Sequence, residues 1–350
     1  MNTWRVVRSA ARVVFSTVLL ATSTAFAQDA GTPGPRTPSR TTVSVTRGDG
    51  SSFAAEVHYP AASSDLGASV DSKHGRYPIA AFGHGFLCPV DRYRSTAAHL
   101  ASWGIVVILP ETQGGLFPSH PALAADLVAS LDWLAAEGDR EGSFWSGAID
   151  GTERGLLGHS MGGGAALLAA AADPRTDAVC VLAAANTNPS SISAASSVRC
   201  ATRLIVGEED SIVPPASTVP MYENLPGSRQ EIVVLGGFHC GFIDQPIIFC
   251  DSGAISRGEQ LDVVHREMAE FLLLHLRDDL GRWDEVWGNP GADDGITQVG
   301  RVTADLDGNG RVDGGDLGLL VANWENAGCG DLNEDGIVDG ADLGLLIAAW

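Results

Sequence analysis

The sequence predicts an α/β protein: a mostly parallel sheet covered by helices on both faces, followed by a small all-α unit. Three observations carry that expectation. Short apolar runs alternate with segments of helical spacing through residues 41–280, and a single Gly-x-Ser-x-Gly lies between one such run and one such segment. Residues 305–324 then recur as residues 331–350, identical at 13 of 20 positions. Buried strands alternating with helices imply parallel pairing, because each parallel pair needs a long crossover that a helix supplies.

The elements follow in chain order. Arg5, Arg8 and Arg12 open a basic start, residues 13–21 are apolar, and Ala25-Phe26-Ala27 has the small-residue pattern of a cleavage site. Residues 1–27 therefore read as a secretory signal peptide, since the apolar stretch falls short of the ~20 residues that spanning a bilayer requires. Residues 28–40, rich in Pro, Thr and Ser, read as a linker. Residues 41–46 and 53–59 alternate like strands, and short apolar runs follow at 78–82, 105–109, 155–158, 178–182, 203–206 and 231–235. Helical spacing occupies 91–103, closed by Gly104, then 121–137, 161–172 and 257–279. Residues 281–300, where Gly, Asn, Pro and Asp crowd around two tryptophans, read as a second linker. The domains expected are thus 41–280 and 301–350.

Length and composition bound the function. The 350 residues accommodate one full enzyme core and a smaller companion, and 45% hydrophobic content excludes wholesale disorder. With 43 acidic against 22 basic residues the net charge is −21, so a partner held through phosphates, nucleic acid above all, is excluded. No segment after the leader is apolar for long enough to span a membrane. Export permits disulfides among the six cysteines, and Cys240 with Cys250 would close a short loop.

The chemistry concentrates at Gly158-His159-Ser160-Met161-Gly162. A sharp strand-to-helix turn presents the serine hydroxyl at the end of the sheet beside a helix N-terminus, and only small neighbours permit that turn. A serine needs a base in hydrogen-bond reach and a carboxylate to orient the base, in the chain order Ser, acid, His. His265 and His275 fall inside a long helical pattern, whereas His239 follows the last apolar run in a Gly-Gly-Phe-His loop. His239 is the expected base. Asp210, after the run at 203–206, is the expected acid, with Glu208, Glu209 and Asp244 as rivals. The oxyanion donors expected are the backbone N–H groups of Met161 and of Phe86, in Phe82-Gly83-His84-Gly85-Phe86. His84 reads as a brace for that loop.

The repeats carry a different chemistry. Asp305, Asp307, Asn309, Asp313 and Asp316 stand at loop positions 1, 3, 5, 9 and 12, with Gly310 at position 6. Asp331, Asn333, Asp335, Asp339 and Asp342 repeat the pattern, with Gly336 at the turn. Hard oxygen ligands at this spacing wrap Ca²⁺, and the position-7 carbonyls of Arg311 and Ile337 add a ligand each. Two structural Ca²⁺ ions are expected, and no cofactor for catalysis.

On these motifs the chain resembles known families. GHSMGGGA at 158–165, EEDSIVP at 208–214 and GGFHC at 236–240 resemble the bacterial cutinase and polyester (PET) hydrolase branch of the α/β-hydrolases. FGHGF at 82–86 and the stretch at 104–107 are similar to chlorophyllases and platelet-activating-factor acetylhydrolases. The resemblance covers nearly all of 41–280 and implies a secreted serine carboxylic-ester hydrolase acting on an ester substrate. Alternatives are a phospholipid or chlorophyll-type esterase, or a binding and scaffold protein with a vestigial hydrolase. Where polyester hydrolases carry a tryptophan after the strand following the nucleophile helix, this chain has Asn186-Thr187-Asn188-Pro189, and Phe86 replaces their oxyanion-loop tyrosine. Aliphatic esters are therefore expected to outrun aromatic polyesters. The repeat pair resembles a type I dockerin, which implies a cohesin-like or cell-surface partner. Its recognition positions 10 and 11 hold Gly314-Gly315 and Gly340-Ala341 in place of hydroxyl-bearing pairs.

Overall fold

In the computed structural model, the described residues are 28–288, 295–306, 311–326, 329–333 and 336–350. Residues 1–27, expected to be a signal peptide, lie outside them. Among the described residues nine strands form one sheet: β1 (Pro38–Thr46), β2 (Ser52–Pro60), β3 (Tyr77–Gly83), β4 (Val106–Pro110), β5 (Ile149–His159), β6 (Ala178–Leu182), β7 (Ala201–Gly207), β8 (Arg229–Val234) and β9 (Ile296–Arg301). Their spatial order is β1-β2-β4-β3-β5-β6-β7-β8-β9. The strands from β4 to β8 in that order are parallel, while the marginal pairs β1–β2, β2–β4 and β8–β9 are antiparallel.

The period-2 alternation of strand side chains divides the core into two layers. Ala80, Phe82, Val107, Leu157, Cys180 and Leu182 face one layer, with α1 (Arg94–Ser102) and α6 (Arg257–Arg277). Ile79, Ala81, Val106, Ile108, Leu156, Val179 and Val181 face the other, with α2 (His120–Asp139), α3 (Met161–Ala172) and the short helices α4 (Ser191–Ala195) and α5 (Val219–Asn224). Both faces are covered, which is why the central strands read as continuous apolar runs. The helix starts are locally encoded. Ser119 accepts the N–H of Ala122, and Ser256 and Glu259 form a reciprocal capping box at α6.

The described parts of both stretches read as linkers are packed structure. Ala30 is buried, its carbonyl lies 2.8 Å from His99 Nε2, and Gly34 N donates to Ser102 Oγ at 2.7 Å. Trp103 Nε1 donates to Thr32 O at 3.0 Å, so residues 28–37 lie along α1 before β1 begins at Pro38. Likewise 281–300 contains the short helix α7 (Trp283–Trp287) and most of β9, which pairs with β8 over six residues. Trp283 and Val286 are buried, and the Val286 carbonyl accepts from Arg203 Nη2 at 3.1 Å. Composition hid these contacts because β9 is held by backbone pairing, with mostly exposed side chains.

Beyond β9, the described parts of the repeats form α8 (Gly314–Ala322) and α9 (Gly340–Ala349). Leu320 and Leu346, equivalent in the two repeats, are fully buried, and Leu306, Val338 and Cys329 join them to the layer containing α6. Thr303 N donates to Ser228 Oγ at 3.0 Å, beside the start of β8. Among the described residues no helix is long and apolar enough to cross a membrane.

Candidate active site

Ser160 occupies the turn between β5 and α3 with φ 55° and ψ −119°. A side chain at positive φ is strained, at a cost of about 1–3 kcal/mol, and persists only where the surroundings over-determine the turn. Here they do. A Cβ on Gly162 would lie 2.0 Å from Gly83 O, and one on Gly158 would lie 2.4 Å from Gly162 O. Ser160 N donates to Leu182 O at 2.9 Å and Ser160 O accepts from Ala185 N at 2.9 Å, anchoring the turn to the end of β6. The glycines at 158 and 162 are thus steric requirements of the backbone.

His239 begins a 3₁₀ turn after β8, and Asp210 follows β7. The two lie 2.7 Å apart, His239 Nδ1 to Asp210 Oδ2, with both side chains buried. The other Asp210 oxygen accepts from Ile212 N at 2.9 Å and Val213 N at 2.7 Å, which fixes the carboxylate plane. The fold does not bring the rivals to the imidazole. Glu208 Oε2 accepts from Gly236 N at 2.8 Å, and Asp244 caps α1 by accepting from Ser95 N at 3.0 Å. Glu209 is exposed.

The remaining downstream histidines serve the core. His265 stacks on His99 with ring centroids 4.6 Å apart, and burial with that neighbour pushes its pKa down to about 3. His275 packs on Phe271 and is pushed down to about 3, chiefly by burial.

His159, the variable residue inside the serine motif, was missed as a site residue. Its ring centroid is 4.5 Å from that of His239 and 5.6 Å from that of Phe242. Burial, reinforced by the proximity of His239, holds its pKa well below the ordinary value, so it stays neutral beside a second imidazole. Tyr93 OH lies 2.9 Å from His159 Nδ1 and accepts from Gly85 N at 2.9 Å, linking the serine turn to the loop after β3. Nothing in the spacing of Tyr93 announces this role.

Met161 is the first residue of α3, where backbone N–H groups lack intrahelical partners. Phe86 lies in the loop after β3, which the Cys88 N to Gly85 O bond closes at 3.1 Å. His84 braces that loop: its ring nitrogens lie 2.8 Å from Gly85 O and 2.6 Å from Thr112 O. Close packing of Gly162 on Gly83 and His84 brings the start of α3 into backbone contact with the same loop.

Around this end of the sheet, exposed apolar side chains project from loops at the carboxyl ends of the strands: Phe86, Leu87, Phe117, Ile212 and Phe249. Phe242 is fully buried beneath His159 and lines no open wall. In the stretch at 186–189, Thr187 Oγ1 donates to Pro189 O at 2.7 Å, and Asn188 N donates to His120 Nδ1 at 3.1 Å.

Cys240 and Cys250 are disulfide-bonded with Cα atoms 5.5 Å apart, and Cys88, Cys180, Cys200 and Cys329 are buried free thiols.

In the acidic loops, Asp307, Asn309 and Asp335 lie outside the described residues. Asp316 and Asp342 are fully buried and accept backbone N–H groups of their own loops, Leu306 N at 2.6 Å and Leu332 N at 2.7 Å. Asp331 Oδ2 accepts from Gly336 N at 2.8 Å. Asp313 and Asp339 cap α8 and α9. Among the described residues no three His, Cys, Asp or Glu side chains gather as a metal cluster.

Comparison with known proteins gives a consistent result. Residues 22–244 match the PETase family model, described as PET hydrolase-like, a span that includes Ser160, Asp210 and His239. A bis(hydroxyethyl) terephthalate hydrolase of Streptomyces coelicolor is 30% identical over 173 residues, covering 49% of this chain and 50% of that protein. Lipase 1 of a Moraxella species is 29% identical over 184 residues, 52% of each chain. The chain thus spans about half the length of the curated relatives it matches.

Proposed function

Because this chain belongs to the PET hydrolase-like family, we propose that it is an exported serine carboxylic-ester hydrolase of the cutinase and lipase kind. The observation that carries the reading is the buried His239–Asp210 pair, 2.7 Å apart, whose imidazole packs on the residue preceding the strained Ser160. Ser160 Oγ attacks the ester carbonyl while His239 Nε2 takes its proton, and Asp210 stabilises the imidazolium. The N–H groups of Phe86 and Met161 receive the oxyanion. The intermediate collapses with loss of the alcohol, which carries away the proton from His239. Water, deprotonated by His239, then cleaves the acyl-enzyme and frees Ser160.

The substrate follows from the rim. Exposed Phe86, Leu87, Phe117 and Ile212 favour apolar acyl chains, and the 186–189 turn supplies no aromatic wall. Stacking and apolar burial are worth about 1–3 kcal/mol to an aromatic substrate. Short and medium ethyl alkanoates are therefore expected to be hydrolysed about 5- to 150-fold faster, per accessible bond, than an aromatic polyester film. Product release measured on both substrates checks this. Equal rates would place an aromatic wall elsewhere, and inactivity on every ester would remove the reading.

We read the repeats as a dockerin-like Ca²⁺ module for docking or surface attachment. The residues fit the ion: a buried carboxylate at position 12 of each loop, and the hydrogen bond from the turn glycine Gly336 to the position-1 Asp331. Asp305, Asp307, Asn309, Asp313 and Asp316, with the Arg311 carbonyl, would serve the first site; Asp331, Asn333, Asp335, Asp339 and Asp342, with the Ile337 carbonyl, the second. Ca²⁺ would neutralise the mutual repulsion of these carboxylates. Titration calorimetry on the full chain is expected to count two ions. Chelator should lower the melting temperature while leaving hydrolysis of a soluble ester within about twofold, since no repeat carboxylate is among the proposed catalytic groups. Failure to bind Ca²⁺ would refute the module's assignment.

A further inference from the structure

We propose that Asp251 is a positioning residue whose carboxylate ties the loop carrying His239 to the loop carrying Asp210. The inference rests on the serine-esterase reading and adds a group outside the set Ser160, His239 and Asp210. Residues His239–Phe242 form a single 3₁₀ turn, whose first N–H groups find no partner within the turn. Asp251 supplies one. Its Oδ2 accepts from His239 N at 2.9 Å, and its Oδ1 from Cys240 N at 2.9 Å. The same Oδ2 accepts from Ser211 N at 3.2 Å, and Ser211 directly follows Asp210. One half-buried carboxylate thus spans the two loops whose separation sets the 2.7 Å contact between His239 and Asp210. Charge-assisted bonds of this kind are roughly twice as strong as neutral ones.

Covalent structure holds Asp251 in place. Cys250, the residue before it, is bonded to Cys240, the residue after His239. From the opposite side Gln260 of α6 grips Phe238, accepting its N–H at 2.9 Å and donating to its carbonyl at 2.9 Å. Gly241 packs so closely on Gln260 that a Cβ would lie 1.8 Å from its Oε1. The backbone from Phe238 to Cys240 is therefore clamped between Gln260 and Asp251. Of the two clamps, Asp251 alone also reaches the acid loop with its side chain among the contacts above. Misplacement of a catalytic group by about 1 Å costs on the order of 100-fold in rate.

The test is steady-state hydrolysis of p-nitrophenyl butyrate, with saturating fluorophosphonate labelling of Ser160 to count folded sites. Asp251→Ala is expected to lower kcat by about 10- to 100-fold with KM within about twofold, at an unchanged labelled end point reached more slowly. Asp251→Asn, which can keep the oxygen shared by His239 N and Ser211 N, should recover part of the loss. The proposal is overturned if kcat of Asp251→Ala stays within twofold of the parent. It is equally overturned if lost activity merely tracks a lost labelled fraction, or if KM rises at constant kcat. His239→Ala separates the two levels. Retained turnover in that variant removes the serine-esterase reading itself, whereas an inactive His239→Ala beside a fully active Asp251→Ala removes only the positioning role.

Discussion

Replacing Ser160 by alanine is expected to cut kcat on a soluble ester by about 10⁴-fold or more while leaving the melting temperature within a few degrees. The size follows from the proposed chemistry: without Oγ no acyl-enzyme forms, His239 has no serine proton to take, and Asp210 has no imidazolium to stabilise. The small effect on stability follows from the backbone. Alanine keeps the Cβ, so the φ of 55° is neither relieved nor worsened, and the anchoring bonds at this residue, Ser160 N to Leu182 O and Ala185 N to Ser160 O, belong to the main chain. Kinetics on p-nitrophenyl butyrate together with thermal unfolding checks both halves. Turnover retained in a folded Ser160→Ala variant would end the serine mechanism.

Asp210→Asn is expected to lower kcat by about 10³- to 10⁴-fold. An asparagine oxygen can keep the bonds from Ile212 N and Val213 N, which turns the amide NH₂ toward His239 Nδ1. The imidazole must then present Nδ1 as an acceptor and carry its proton on Nε2, where it cannot accept the proton of Ser160. Asp244→Asn should instead cost roughly 1 kcal/mol of stability through the weakened cap on α1, with little change in kcat. Glu208→Gln keeps an oxygen for Gly236 N and should be nearly silent. Equal losses of kcat across the three variants would refute the assignment of the acid.

The alternation of apolar runs and helices was legible in the sequence because strands buried on both faces and amphipathic helices impose periodicities that side-chain chemistry alone encodes. The turn at Ser160 was legible for a steric reason: Gly158 and Gly162 stand where a Cβ would collide with backbone. The repeats were legible because they recur. These signals can all be read from short stretches of chain, although the contact that makes Gly162 necessary, with Gly83, is itself long-range.

What the sequence left open depends on groups brought together from far along the chain. Asp210, Glu208, Glu209 and Asp244 are chemically equivalent carboxylates on paper. Only the paired strands β7 and β8 bring Asp210 to His239 across 29 positions, while Asp244 is drawn to α1 across 149. Residues 28–37 and β9 owe their order to main-chain hydrogen bonds and to the surfaces of α1 and β8, which composition does not record. Asp251 is the sharpest case, since a lone aspartate after a cysteine has no motif, and its three backbone partners exist only once two loops have been folded side by side. Periodicity and steric necessity were thus determined by the sequence itself. The choice among like polar groups was made by tertiary structure, because a hydrogen bond depends on distance and direction in space, and separation along the chain specifies neither.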